Sequence, residues 1–326
     1  MKALTFNPTS DMFAVRDLPV PTPGPGDVLV KVAACGLNPV DAKITRWKAM
    51  VPEMDPDWTP GLDVSGEIVH VGAGVKGWNT GDRVLYHGNM LRPHGGLAEY
   101  AIQKADTLIA HPPVSPAVAA ATPCAGWTAW RAIHDKLRLK PDHSFLVTGG
   151  SGGVGGFAIQ IANDIGLRQI ITTCSEKNHA YVHSLGATAA IDYRTEDVAA
   201  RVHILTGGRG VDRALDTVGP DEDIVVADAL AFEGEMLELV DVVRPGEYRD
   251  VFQRGLSFHQ LSLGAGHRAG PEAEGRIVQA GVACCRMLAE GRLIVPKLET
   301  IPLAEAAHRL VEIRERRSVG KTVVVL

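Results

Sequence analysis

The sequence predicts an α/β chain in which a β-rich, irregular domain precedes a doubly wound parallel sheet. Three observations carry this. The first hundred residues are short β-like runs punctuated by Gly and Pro. From His143 onward, strand-like and helix-like patterns alternate. That alternation opens on an apolar run, Phe145-Leu146-Val147, which enters the glycine-rich turn Gly149-Gly150-Ser151-Gly152-Gly153-Val154-Gly155-Gly156 and then a helix.

In order, Pro19, Pro21, Pro23 and Pro25 punctuate the start, and β-like runs follow at Val28 to Val32, Val64 to Val71, Arg83 to Tyr86 and Ala98 to Ile102. A helix is expected near Pro39 to Trp47. The pattern turns helical around Ser115 to Ala132, where the domain junction is placed. Strands are then expected at 144–148, 169–174, 189–192, 211–216, 235–240 and 257–263. Helices are expected at 154–165, 178–185, 196–206 and 221–231. Val154, Ala158, Ile161, Ala162 and Ile165 fall on one face of the first of these. After Ala265 come two amphipathic helices separated by Pro296 and a terminal strand, Thr322 to Leu326, part of which should return to the first domain. The predicted division is 1–118 with 266–326 against 119–265.

The glycine turn has a chemical reading. Gly150-x-Gly152-x-x-Gly155 between a strand and a helix lets backbone approach a pyrophosphate, whose charge sits on the unpaired N–H groups of the helix N-terminus. At the end of the second strand, where an acid would bind a free ribose 2′-OH, stands Cys174, followed by Ser175 and Lys177. Missing acid and adjacent donors favour NADP(H) over NAD; Glu176 weighs slightly the other way. Ser175 also fits a plain helix N-cap.

Composition narrows the field further. A net charge of −5 without a long basic cluster gives no footprint for nucleic acid. No apolar run reaches the ~18 residues of a membrane span, and the first residues lack a signal peptide's apolar core. A cytoplasmic protein is expected. The five cysteines, 35, 124, 174, 284 and 285, show no C-x-x-C spacing, against both a disulfide framework and a structural metal cluster.

Several longer motifs go beyond the glycine turn: Cys35-Gly36-Leu37-Asn38-Pro39-Val40-Asp41, Pro60-Gly61-Leu62-Asp63-Val64-Ser65-Gly66, Gly81-Asp82-Arg83-Val84, Gly95-Gly96-Leu97-Ala98-Glu99-Tyr100, Ser151-Gly152-Gly153-Val154-Gly155 and Leu185-Gly186-Ala187. Through them, over nearly its full length, the chain resembles the medium-chain dehydrogenase/reductase superfamily and within it the zinc-free quinone oxidoreductase or ζ-crystallin-like branch. The resemblance implies a GroES-like β-rich domain for the substrate, completed by the C-terminal tail, and a Rossmann domain carrying NADPH in the cleft between them. It implies cofactor contacts from Thr128, Ser151, Gly152, Gly153, Val154, Gly155, Ser175, Lys177, Tyr193 and Arg317, with Asn38 beside the nicotinamide ribose or the substrate oxygen. Asp41 and Lys43 are the next candidates on that segment, and Asp41 fits a structural, helix-capping role equally well.

The resemblance also bears on metal. The places of the catalytic zinc ligands in zinc-dependent relatives hold Asn38, Leu62 and Cys124, one candidate of the three needed, so no metal is expected. Without a Lewis acid, hydride addition to a plain ketone loses its main oxyanion stabilisation, whereas a quinone or α,β-unsaturated carbonyl delocalises that charge. The expected activity is therefore NADPH-dependent hydride transfer to a quinone or enone. The alternatives are a zinc-type alcohol dehydrogenase and a non-catalytic NADPH-binding protein of the ζ-crystallin kind. His87 and His94 are open between substrate residues and a polar loop; Trp47, Trp58 and Trp127, between an apolar slot and the core. The apolar run Leu256 to Leu263 is expected at the edge of the cofactor sheet, where the family joins two subunits into a homodimer.

Overall fold

The structure, a computed structural model, describes residues 1–315 and 319–326. It divides into two compact units, Met1–Trp127 with Leu263–Gly291 and Lys297–Leu326, and Thr128–Ser262 with Arg292–Pro296.

The first unit opens on a hairpin, β1 (Lys2–Asn7) and β2 (Met12–Asp17), absent from the sequence pattern above because β2 is mostly exposed and carries no clear alternation. There follow β3 (Asp27–Gly36), β4 (Asp63–Val71), β5 (Arg83–His87), β6 (Tyr100–Lys104) and β7 (Ile109–Ala110). Long β3 is the hub, pairing antiparallel with β4 and with β6. Val28, Val30 and Val32 alternate inward from it onto Val64, Ile68 and Val84. Each such side chain contributes roughly 1.5–3 kcal/mol by leaving water. In place of one helix near Pro39 to Trp47 there are two short ones, Pro39–Ala42 and Thr45–Lys48.

In the second unit, β8 (Ser144–Val147), β9 (Gln169–Thr173), β10 (Ala189–Ile191), β11 (Val211–Asp216), β12 (Leu230–Glu238) and β13 (Ser257–Gln260) form one parallel sheet in the order β10-β9-β8-β11-β12-β13. This is the doubly wound order with its switch point between β8 and β11. Central β8 is buried throughout, as a strand covered on both faces must be. The helix expected at 221–231 ends at Ala229, and β12 starts five residues early at Leu230. A register shift against β11 between Val211 and Arg213, with Glu233 at φ 57°, lets the strand begin there.

The tail returns to the first unit. After the helix Pro271–Ala289, β14 (Leu298–Pro302) pairs parallel with β15 (Lys321–Val325), and β15 pairs antiparallel with β3. The division differs from the expected one at three places: Trp127/Thr128 instead of 118/119, Ser262/Leu263 instead of 265/266, and residues 292–296 with the second unit. The first shift has a local cause. The helix Pro116–Ala120 packs on β3 and β4, and the segment Pro123–Trp127 after it packs on the helix Pro271–Ala289. The helical stretch from 115 to 132 is thereby broken, its second piece being π-helical.

Candidate active site

Asn38 ends the loop after β3 in extended conformation (φ −138°, ψ 157°) and caps the helix Pro39–Ala42. Asp41 accepts the Asn38 backbone N–H at 2.9 Å, so the capping role is realised. The Asn38 side chain is buried and fully engaged. Its Nδ2 donates to Asp63 Oδ2 at 3.0 Å and to Gly36 O at 3.3 Å, and its Oδ1 accepts from Lys321 Nζ. Lys321 also donates to Leu37 O at 3.1 Å and lies 3.8 Å from Asp63 Oδ2. Asp63 Oδ1 accepts the backbone N–H of Cys124 at 2.9 Å. Lys43 follows half-buried at the end of the helix; the ammonium that meets Asn38 belongs to Lys321.

This cluster holds two acids and one base out of water: Asp41 and Asp63 at 0% exposure and Lys321 at 4%. Burial, then repulsion from Asp63, pushes the Asp41 carboxyl up to about 7, with Lys321 and the Asn38 bonds opposing. Burial likewise raises Asp63 to about 6 against the pull of Lys321, Asn38 and the Cys124 N–H. Burial and the two acids also raise the thiols of Cys35 and Cys124, which stay protonated.

Asp63, His87 and Cys124 each bring one ligand atom to within 4.8 Å of the others. His87 is a buried residue of β5 whose Nδ1 lies 3.3 Å from Nε2 of His267, so it is a core residue beside this cluster and not part of a polar loop. As a metal site the trio fits poorly. Asp63 already accepts from Asn38 and Cys124, and the Lys321 ammonium faces the same carboxylate. The set inferred from the resemblance fits no better, since Leu62 is a buried apolar residue and the Asn38 amide is spent. His94, half-buried at φ 64°, shares a small depression with Trp47, Trp58, Tyr86 and Met90. Trp127 lies apart from it, fully buried.

In the second unit the three glycines of the turn differ. A Cβ at Gly150 would stand 2.1 Å from Thr172 Oγ1, and one at Gly155 would stand 2.4 Å from Gly149 O. Both are fixed by packing. A Cβ at Gly152 would meet only Gly149 O at 3.2 Å, so strand packing does not account for that residue. Gly152 is also the N-cap of the helix Gly153–Ile165 and supplies no capping side chain, which leaves the first N–H groups of that helix, including Gly153 and Val154, for another acceptor. Ser151 stands half-buried ahead of it.

Beyond β9, Cys174 is buried, Ser175 accepts from Asn178 Nδ2 at 3.1 Å, and Lys177 is exposed without an ion pair among the described residues. Asp192, an acid at the end of β10, is held ionised by Arg194 at 2.6 Å and also accepts the Glu176 N–H. Tyr193 beside it is 56% exposed. Thr128, nearly buried, begins the second unit. Arg317 lies outside the described residues; neighbouring Arg314 is engaged with Ala42 O and Asp11. Sequence reasoning missed Asp63 and Lys321. The signal for Lys321 was a lysine opening an apolar terminal strand on the same face as buried Val323.

Two family profiles match the chain: the alcohol dehydrogenase GroES-like domain over residues 24–113 and the zinc-binding dehydrogenase over residues 153–243. The chain belongs to the medium-chain dehydrogenase/reductase superfamily. Among relatives of this superfamily, the chloroplastic quinone-oxidoreductase QR1 of Triphysaria versicolor is 38% identical over 56% of this chain and 57% of its own length. The trans-enoyl reductase pgmF of Aspergillus terreus is 36% identical over 62% of this chain and 57% of its own. The aligned part thus spans little more than half of these relatives. A Pseudomonas syringae quinone oxidoreductase superposes with a TM-score of 0.87 at 28% identity, over 100% of this chain and 99% of that one. Mycobacterial Rv1454c complexed with NADPH superposes with a TM-score of 0.86 at 25% identity, over 100% of both chains. The two units are therefore the GroES-like and Rossmann domains of this superfamily.

The acid cluster gives a pH prediction. Asp41 and Asp63 are raised above their unfolded values, so the unfolded chain releases these protons first and folding stability falls as pH rises from about 4 to about 7. Asp41→Asn should flatten this slope in denaturant titrations, removing up to about 4 kcal/mol of pH dependence. An unchanged slope would show that Asp41 is not the group responsible.

Proposed function

We propose that the protein transfers hydride from NADPH to a quinone or α,β-unsaturated carbonyl without a catalytic metal. The observation that carries this reading is the Asn38–Asp63–Lys321 cluster, in which the amide and carboxylate oxygens that could serve as ligands are already bonded and an ammonium stands beside them. The quinone oxidoreductase and enoyl reductase relatives support the substrate class, and the NADPH-bound mycobacterial relative supports the cofactor.

Bound NADPH supplies the hydride. The chain's own residues bind and orient. Gly153, Val154 and Gly155 give backbone N–H groups to the pyrophosphate, Gly152, whose own N–H is donated to Gly149 O at 2.9 Å, lets it approach by lacking a side chain, and Ser151 stands beside them with Thr128 along the cofactor. Ser175 and Lys177 take the 2′-phosphate next to Tyr193, and Arg194 compensates the charge of Asp192, which leaves Glu176 as the acid beside them. Of the two Asn38 amide hydrogens, the one on Gly36 O at 3.3 Å is the weaker bond and the one offered to the nicotinamide ribose or the substrate oxygen. Lys321 holds Asn38 Oδ1 and so fixes the plane of that amide. Asp41 holds the Asn38 backbone, and water supplies the proton to the reduced carbonyl compound. A cytoplasmic setting belongs to this reading, in keeping with cysteines that form no disulfide among the described residues. Among the described residues no helix is long and apolar enough to cross a membrane.

Four outcomes are expected. Lys177→Ala should weaken NADPH binding roughly 10- to 150-fold and leave NADH nearly unchanged, by fluorescence titration; equal losses for both cofactors would remove Lys177 from the phosphate site. Chelator-treated protein should still reduce enones, and Asn38→Ala should lower turnover by ~10²–10³ at unchanged NADPH affinity if Asn38 holds the substrate oxygen, or weaken NADPH binding if it holds the nicotinamide ribose. Stoichiometric zinc with chelator-sensitive activity would overturn this mechanism in favour of the alcohol dehydrogenase reading, and its loss in His87→Ala would assign the zinc to the Asp63–His87–Cys124 trio. Finally, the unpaired outer edge of β13, the last strand of its sheet, should join two subunits through a continuous sheet. A monomer mass at micromolar concentration in light scattering would exclude that assembly.

A further inference from the structure

At the carboxyl edge of the Rossmann sheet two acids face each other across neighbouring strands: Asp216, the last residue of β11, is in register with Glu238, the last residue of β12. Each spends one oxygen on local backbone. Asp216 Oδ1 accepts the Thr148 hydroxyl at 2.6 Å and the Val218 N–H at 2.9 Å, while Glu238 Oε1 accepts the N–H groups of Val240 at 2.6 Å and Asp241 at 2.9 Å. The remaining oxygens, Asp216 Oδ2 and Glu238 Oε2, are buried without a donor. Two ionised carboxylates have only acceptors to offer each other, whereas one proton between them satisfies both.

The pair lies beside the glycine turn. Thr148 follows β8 and leads into Gly149, and its hydroxyl, bonded to Asp216, accepts the Thr217 N–H at 3.0 Å. Thr217 Oγ1 in turn donates to Thr148 O at 2.7 Å and would lie 2.9 Å from a Cβ at Gly149. Asp216 thus fastens segment 217–219 to the start of the turn at the switch point, where a dinucleotide binds in this fold. Glu238 braces Asp216 from the next strand.

We propose that Glu238 is a positioning residue of the dinucleotide site, sharing one proton with Asp216 and so holding segment 217–219 against the glycine turn. The proposal rests on the dinucleotide reading above. The charged groups acting on the pair leave it no counter-ion. Glu222, on the helix after β11, is itself raised by burial and by Asp216, and neither Asp216 nor Glu238 has a basic partner among the described residues. Burial and Asp216 together push Glu238 up to about 8. Above that pH the shared proton leaves, two like charges meet in the core, and the brace on the turn loosens.

The test is dinucleotide affinity against pH, by fluorescence titration with NADPH and NADH in parallel, in wild type and Glu238→Gln. The amide of the variant donates to Asp216 Oδ2 at every pH. Wild-type affinity for both cofactors should be flat from pH 6.5 to 7.5 and fall by up to about tenfold per pH unit above 8, while the variant stays flat throughout. A brace with only a structural role would shift affinity equally at all pH values. A flat wild-type profile to pH 9.5, or the same alkaline loss in Glu238→Gln, would overturn the proposal with the cofactor reading intact; binding of neither cofactor at any pH would overturn both. Should Glu238→Gln not fold, Asp216→Asn removes the same proton from the other side, and the same flat profile is expected of it.

Discussion

The GroES-like domain depends on the burial of Lys321 beside Asp63. Four segments far apart in the chain meet at this pair: the loop after β3 through Asn38, the start of β4 through Asp63, the segment before the second unit through the Cys124 N–H, and the last strand through Lys321 itself. The pairing of β15 with β3 brings the lysine there, and Thr322 O accepts the Leu37 N–H one residue along. A buried ion pair is a weak source of net stability, because desolvation of both charges offsets their attraction. Its effect here is on geometry. With both Nδ2 hydrogens and Oδ1 engaged, the Asn38 amide has one orientation, and the carboxylate of Asp41 fixes the backbone that carries it.

Much of the fold was legible because its signals are local. The run from Phe145 to Gly155 combines an all-buried strand, glycines packed against Thr172 and Gly149, and an amphipathic helix, each of which leaves a mark in a window of a few residues. The hairpin of β1 and β2 was not legible, since a strand as exposed as Met12–Asp17 has no periodicity to read. The site was legible in part for the same reason. Asn38 and Asp41 lie three residues apart in one motif, whereas Asp63 and Lys321 act on Asn38 only through the fold. Glu238 reads in sequence as one more polar residue at a strand end; only its register with Asp216 shows that two acids meet.

Both domains thus bury an excess of acid at their working edges, and they balance it by different means. In the GroES-like domain Lys321 compensates one of the two carboxylates, and the second, with Asp41 raised to about 7, holds a proton below about that pH. In the Rossmann domain Asp216 and Glu238 have no basic partner among the described residues, and the proposed shared proton takes that role. The distinction matters for the reaction proposed here. Hydride addition leaves negative charge on the substrate oxygen, and a cluster carrying a net negative charge would oppose it through a medium that screens poorly. Where Asp41 keeps its proton, the Lys321 ammonium and the Asp63 carboxylate offset each other, so an amide donor on Asn38 can stabilise that oxygen without a metal to outweigh nearby acids.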